Sequence, residues 1–116
     1  MAQCIVVWTN GTYAIVVSIA DGVEEILHVD SKGSGPGKVG RRHHRATEHY
    51  QEVVEAIRDA QSVFIFGTAQ ARMELKSEIL RTEGLSHRLV GTELAESMTE
   101  SEIVARAREI CGSGGA

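Results

Sequence analysis

Ser62-Val63-Phe64-Ile65-Phe66, closed by Gly67, is a continuous apolar run with no room for a polar face. It is too short for a typical helix, and an uninterrupted run of this length predicts a strand buried on both sides. Such a strand needs cover above and below, and the flanking sequence supplies it. Upstream, Ala46, Tyr50, Val53, Val54, Ile57 and Ala60 recur at the spacing of one helical face. Downstream, Thr68 is placed to cap a helix running to about Glu83, with Gly84 just past its end. The run is therefore expected to be the central strand of a layered domain.

The rest of the chain fits that plan. Residues 3–8 and 12–20 are rich in Val and Ile and are separated by Thr9-Asn10-Gly11, so they predict an antiparallel hairpin. Asp21-Gly22 is a second turn signal, and Val23 to Val29 offers a third, imperfectly alternating strand. Arg88 to Thr92 gives a short fifth strand. Thr99-x-x-Glu102 is a capping box, with Met98 and Ile103 set as a hydrophobic staple and Ile103, Val104, Ala107, Ile110 and Cys111 as a buried stripe. The order β-β-β-α-β-α-β-α predicts an α/β fold: a mixed five-stranded sheet carrying helices, a layout shared with ribonuclease H-like domains. One domain is expected over residues 1–111, with residues 112–116 as a flexible tail.

At 116 residues, 42% hydrophobic and 24% charged, the composition is that of a globular domain. No run approaches the ~20 apolar residues that cross a bilayer, and no secretory signal pattern opens the sequence. A cytoplasmic address follows as the expectation. Cys4 and Cys111 have no CxxC spacing, and in a reducing compartment they are expected to be small apolar core residues. The net charge of −4 hides a local reversal. Between Asp30 and Arg45 stand Lys32, Lys38, Arg41, Arg42 and Arg45 against a single Asp, interleaved with Gly33, Gly35, Gly37 and Gly40. A concentrated basic segment in an acidic chain suits local contact with phosphate rather than indiscriminate polyanion binding.

Several chemistries fail on residue type or spacing. A phosphate-binding P-loop needs a Gly five residues before Gly37 and Ser or Thr after Lys38; Lys32 and Val39 stand there instead, and Pro36 lacks an amide donor. His43, His44 and His49 follow no zinc pattern, and they are expected to extend the basic surface, with His28 and His87 solvated or hydrogen-bonded. A two-metal nuclease needs carboxylates on neighbouring elements, yet the first strand has none, which leaves Glu48 and Glu52 as a solvated helical face. Gly67-Thr68-Ala69-Gln70 lacks the dinucleotide pattern and reads as ordinary capping. No catalytic residue, metal or cofactor is expected. Arginines at the start of a helix oppose its macrodipole, and that local conflict is resolved when the free amides and guanidinium groups share an anion.

A strand ending His28-Val29-Asp30, a Gly-rich basic loop, a helix that opens with arginines and contains Glu48-His49-Tyr50, and then VFIFGTAQARMELKSEIL together form a recognisable layout. It resembles the central domain of archaeal and eukaryotic class-one peptide-chain release factors and of Pelota, and more closely their short bacterial single-domain relatives, over about residues 3–111. In those release factors a Gly-Gly-Gln tripeptide in the matching loop positions water on the peptidyl-tRNA ester. Here that loop reads Gly33-Ser34-Gly35-Pro36-Gly37 and holds no Gln. The resemblance therefore implies association with the ribosome, or with the tRNA or rRNA backbone, without the family's usual hydrolysis.

The expectation is a non-catalytic RNA-contacting domain in which Lys32, Lys38, Arg41, Arg42, His43, His44 and Arg45 meet phosphate. Gly33, Gly35 and Gly37 let its loop approach RNA closely. The alternative is a protein-interaction or self-associating module that uses a sheet edge, its basic loop disordered. A third reading is ester hydrolysis that needs no Gln.

Overall fold

The computed structural model describes the backbone of residues 3–30 and 42–115 and the side chains of residues 3–30 and 48–111. Five strands, β1 (Cys4–Thr9), β2 (Tyr13–Ala20), β3 (Val23–Asp30), β4 (Ser62–Gly67) and β5 (Leu89–Leu94), form one sheet in the order β3-β2-β1-β4-β5. The pairs β1–β2 and β2–β3 are antiparallel, and β1–β4 and β4–β5 are parallel. Helices α1 (Arg42–Ala56), α2 (Ala69–Leu80) and α3 (Glu100–Gly115) complete the fold, with a single 3-10 turn at Ser86–Arg88 before β5.

The mixed five-stranded α/β architecture is as expected, but the central strand is β1 rather than β4. From Ile5 to Thr9 every residue of β1 is buried. Its alternate side chains enter two separate cores, as a strand covered on both faces requires. Ile5 and Val7 pack with Tyr50, Val53, Val54 and Ile57 of the α1 segment and Leu75 and Ile79 of α2. Val6 and Trp8 pack with Phe66 and with Ile103 and Ala107 of α3. The sheet is thus sandwiched, with α1 and α2 on one face and α3 on the other. β4 lies beside β1 and divides its residues likewise, Val63 and Ile65 to the first core and Phe64 and Phe66 to the second.

Turn chemistry fixes the meander. Asn10 Oδ1 accepts from the amides of Thr12 and Tyr13 at 3.0 Å each, closing the β1–β2 loop. Asp21 and Gly22 have φ of 54° and 79°, the paired positive values of a type I′ hairpin, and they join β2 to β3 with no slip of register. The expected capping box of α3 is formed. Thr99 N–H donates to Glu102 Oε1 at 2.8 Å, and Glu102 N–H donates to Thr99 Oγ1 at 3.1 Å. The helix continues past Cys111 to Gly115. α2 is shorter than expected: it stops at Leu80 rather than near Glu83, and Gly84, with φ of 86°, serves the turn that follows rather than the helix end itself.

The two cysteines correct the sequence reading outright. Cys4 and Cys111 are joined in a disulfide with their Cα atoms 5.8 Å apart, tying the start of β1 to the last turns of α3. Their positions follow from chain direction. β1 starts at the lower edge of the sheet, and α3 runs antiparallel to it and returns to that edge.

Candidate functional site

Strand directions gather the functional features at the opposite, upper edge. Register aligns Thr9 with Ala14 and Gly67, Tyr13 with Asp30, and Gly67 with Leu94, so the ends of β1, β3, β4 and β5 form one row. α2 follows β4 after Thr68 alone, α3 follows β5 after five residues, and α1 starts after the segment that leaves Asp30. All three helices therefore point their N-termini, the positive ends of their dipoles, toward this edge.

The row is held by close backbone approach. Thr68 N–H donates to Thr9 O at 3.3 Å, and Ala95 N–H donates to Gly67 O at 2.8 Å. A Cβ on Gly67 would lie 2.4 Å from Thr9 O, so only glycine fits where β4 turns into α2. Thr68 caps α2, its hydroxyl accepting from Ala71 N–H at 3.4 Å, as expected from sequence. Trp8 Nε1–H donates to Ala95 O at 3.0 Å and ties β1 to the β5–α3 connection.

Thr9 and His49 are the buried polar centre of this edge, each wholly inaccessible to solvent. Thr9 Oγ1 accepts from Gly11 N–H at 3.1 Å, lies 3.1 Å from Tyr13 O, and lies 2.8 Å from His49 Nε2. The Thr9 hydroxyl and the His49 ring are hydrogen-bonded to each other, and Tyr13 O also accepts from Asn10 N–H at 3.1 Å. Burial lowers the His49 pKa, opposed by the nearby charges of Glu52 and Asp30, and the ring is neutral at neutral pH. This residue was expected on the basic surface; it is instead a structural clamp between α1 and the β1–β2 loop. Beside it, Tyr50 is buried and hydrogen-bonded to Glu74, and burial followed by that carboxylate raises its phenol pKa well above the usual range. Tyr50 and Glu74 line a polar cleft of about 270 Å³ with Asn10, Gly11, Thr12, Thr68, Gln70 and Ala71.

The phosphate contacts expected from sequence are carried by the start of α1 and by the segment before it. Arg42, His43, His44 and Arg45 lie in the opening turns of α1, where the first turn has no acidic residue; their side chains fall outside the described residues. Lys32, Gly33, Gly35, Gly37, Lys38 and Arg41 also fall outside them, on the segment that connects Asp30 to α1. Glu48 and Glu52 are exposed on α1, as expected of a solvated face. His28 is exposed and hydrogen-bonded on both ring nitrogens, to Tyr13 and, at 2.9 Å, to Glu100. Among the described residues no group of three or more His, Cys, Asp or Glu is arranged to hold a metal ion. What sequence reasoning missed is the Thr9–His49 pair, whose available signals were Thr9 closing the apolar run of β1 and His49 falling within the helical stripe from Ala46 to Tyr50.

No family model matches the chain, and no curated protein matches it in sequence. Solved structures do match. The Pelota protein of Thermoplasma acidophilum aligns with a TM-score of 0.66 at 16% identity, over 97% of this chain and 34% of that one. The fold is one shared with Pelota. Archaeoglobus fulgidus Pelota gives 0.65 at 11% identity over 97% and 34% of the two chains. An archaeal translation termination factor, aRF1, gives 0.59 at 14% over 92% and 34%. This chain thus spans about a third of the length of each Pelota and of aRF1, and at these identities the likeness is one of fold. No described helix is long and apolar enough to cross a membrane.

Proposed function

We propose that this chain is a ribosome- or RNA-associated domain that contacts the phosphate backbone without catalysing hydrolysis. Lys32, Lys38, Arg41, Arg42 and Arg45, extended by His43 and His44, neutralise phosphates, and Gly33, Gly35 and Gly37 allow close backbone approach. The observation that carries this reading is a convergence. The basic segment of an otherwise acidic chain is attached at the one sheet edge toward which three helix N-termini point. The fold likeness to a translation termination factor and to Pelota supports the same direction. The absence of Gln from residues 31–45 supports a binding role rather than a catalytic one.

The test is co-sedimentation with ribosomes across a salt series. Binding is expected at low salt and release at high salt, because each phosphate neutralised contributes about 0.7–0.9 to the log–log slope. The double substitution Arg41→Glu and Arg42→Glu should weaken binding across RNA sequences and flatten that slope. Unchanged retention by a folded variant would remove the basic cluster from the account. In a peptide-release assay on programmed ribosomes the chain should compete with a release factor and free no peptide of its own. Multiple turnover abolished by Ser34→Ala would make it an enzyme.

A further inference from the structure

β3 closes one edge of the sheet, and it is poorly protected. It is eight residues long, pairs with β2 without a bulge, and contains neither Lys nor Pro, the residues that usually blunt an edge. Val23, Ile26 and Leu27 are 60%, 41% and 49% exposed. The other edge differs: β5 has six residues, and a register shift interrupts its pairing with β4. A groove of about 440 Å³ lies along the β3 side, with Ile5, Val16, Leu27 and Ala56 among its walls.

The hairpin dictates which backbone groups β3 leaves open. In a two-residue type I′ turn the flanking pair, here Ala20 and Val23, is hydrogen-bonded, and bonded pairs then alternate along the ladder. Val23, Glu25, Leu27 and Val29 thus turn their N–H and C=O groups to β2. Glu24, Ile26 and His28 turn theirs outward. The side chains of these last three lie on the α3 face: Glu24 is bonded to Arg108, His28 to Glu100, and Ile26 opposes Val17 of the α3-side core.

We propose that β3 pairs antiparallel with β3 of a second copy about a twofold axis normal to the sheet, centred on Ile26. Such an axis keeps each face continuous, so a residue on the α3 side must oppose another on that side, and only alternate registers are allowed. Charge selects among them. Centring on Glu25 sets two like charges face to face. Centring on Leu27 brings Glu24 against Asp30. Centring on Ile26 places Ile26 against Ile26, Val23 against Val29, and Glu24 against His28. In that register Arg108 and Glu24 of one copy stand beside His28 and Glu100 of the other, so that the Glu24 carboxylate meets a ring nitrogen and not another carboxylate. Glu25 falls opposite Leu27, where the second copy's chain extends the groove. The sheet then runs through both molecules, and the open hydrogen-bonding groups of Glu24, Ile26 and His28 are all paired. The seam runs along the length of β3, and the proposal does not depend on the RNA-binding role.

The intact, oxidised chain is to be examined by light scattering over a concentration series. A mass rising from monomer to dimer is expected. Ile26→Lys places two like charges on the axis and should raise the dissociation constant by about tenfold or more, with an unchanged circular dichroism spectrum. Glu24→Lys should also weaken the dimer, because it removes the acceptor that faces the second copy's His28. Were the register centred on Leu27, Glu24→Lys would tighten the dimer, and the proposed register would be overturned. Amide exchange gives a second readout: the amides of Glu24, Ile26 and His28 should gain protection with concentration, while those of Glu25 and Leu27 stay protected throughout. A chain monomeric up to about 1 mM would leave this edge to a different partner and overturn the proposal, as would a dimer indifferent to Ile26→Lys.

Discussion

Thr9 and His49 meet at 2.8 Å where neither is accessible to solvent, and that burial governs the His49 ring. Burial disfavours the charged imidazole and lowers its pKa, against the pull of Glu52 and Asp30. The consequence is a pH dependence of definite sign. Its folded pKa lies below the unfolded value near 6.5, so above about pH 7.5 the ring is neutral in both states and contributes no slope. As pH falls, the unfolded chain takes up a proton first. Stability should drop by up to about 1.4 kcal/mol per pH unit until the folded ring also protonates. Urea unfolding followed from about pH 7.5 to pH 5.5 measures this, and His49→Gln should lose that part of the slope while being less stable at neutral pH. None of this was legible in sequence, because His49 stands near His43 and His44 and looks like one more cation. The difference lies in helix phase. His49 follows the basic cluster by one turn and meets Thr9, which the hairpin brings from forty residues earlier.

Elements announced by local chemistry were readable in proportion to how local that chemistry is. The Thr99 and Glu102 capping box specifies two reciprocal bonds within four residues, and both form. Met98 and Ile103 likewise meet in one core. Asp21-Gly22 specifies a turn with both φ values positive, and the turn has them. The α1 pattern held because Tyr50, Val53, Val54 and Ile57 follow a helical period and all are buried. Sheet order is a different kind of information. β1 and β4 have similar apolar runs, and nothing within either records which neighbour it pairs with; β1 is central because the antiparallel meander occupies one of its edges and β4 the other. For the same reason β3 was placed as a strand while its position at the open edge was not. The locality of the α3 start makes it the cleanest test at this scale. Thr99→Ala removes the acceptor for Glu102 N–H and should lower stability by about 1 kcal/mol, seen as a shift in urea midpoint with the slope unchanged. Thr99→Ser should recover most of the loss.

At the scale of the whole molecule, the feature that matters most is the bond between residues 107 apart in sequence. Two cysteines without a motif cannot be paired from spacing, and a chain expected in a reducing compartment argued for leaving them apart. Topology brings them together, since β1 begins where α3 comes back. The bond closes nearly the entire chain into a ring, and a loop of this length restricts the unfolded ensemble strongly: the chain-entropy model gives roughly 4–5 kcal/mol for about 100 residues. Both cores are built from residues of several elements on each face of β1, so the architecture is expected to outlast the bond. Reduction should therefore lower the denaturant midpoint substantially and leave unfolding cooperative, with α3 still packed on Val6, Trp8 and Phe66. Cys4→Ala with Cys111→Ala should reproduce the reduced protein. Thiol alkylation with and without reductant, read by mass spectrometry, checks the bond, and chemical denaturation of both forms checks its contribution. A ribosome-facing role in a reducing compartment requires the reduced form to fold. If reduction instead left a chain with no cooperative transition, the domain could serve that role only where the bond is kept oxidised, and co-sedimentation in the presence of reductant would show its loss directly.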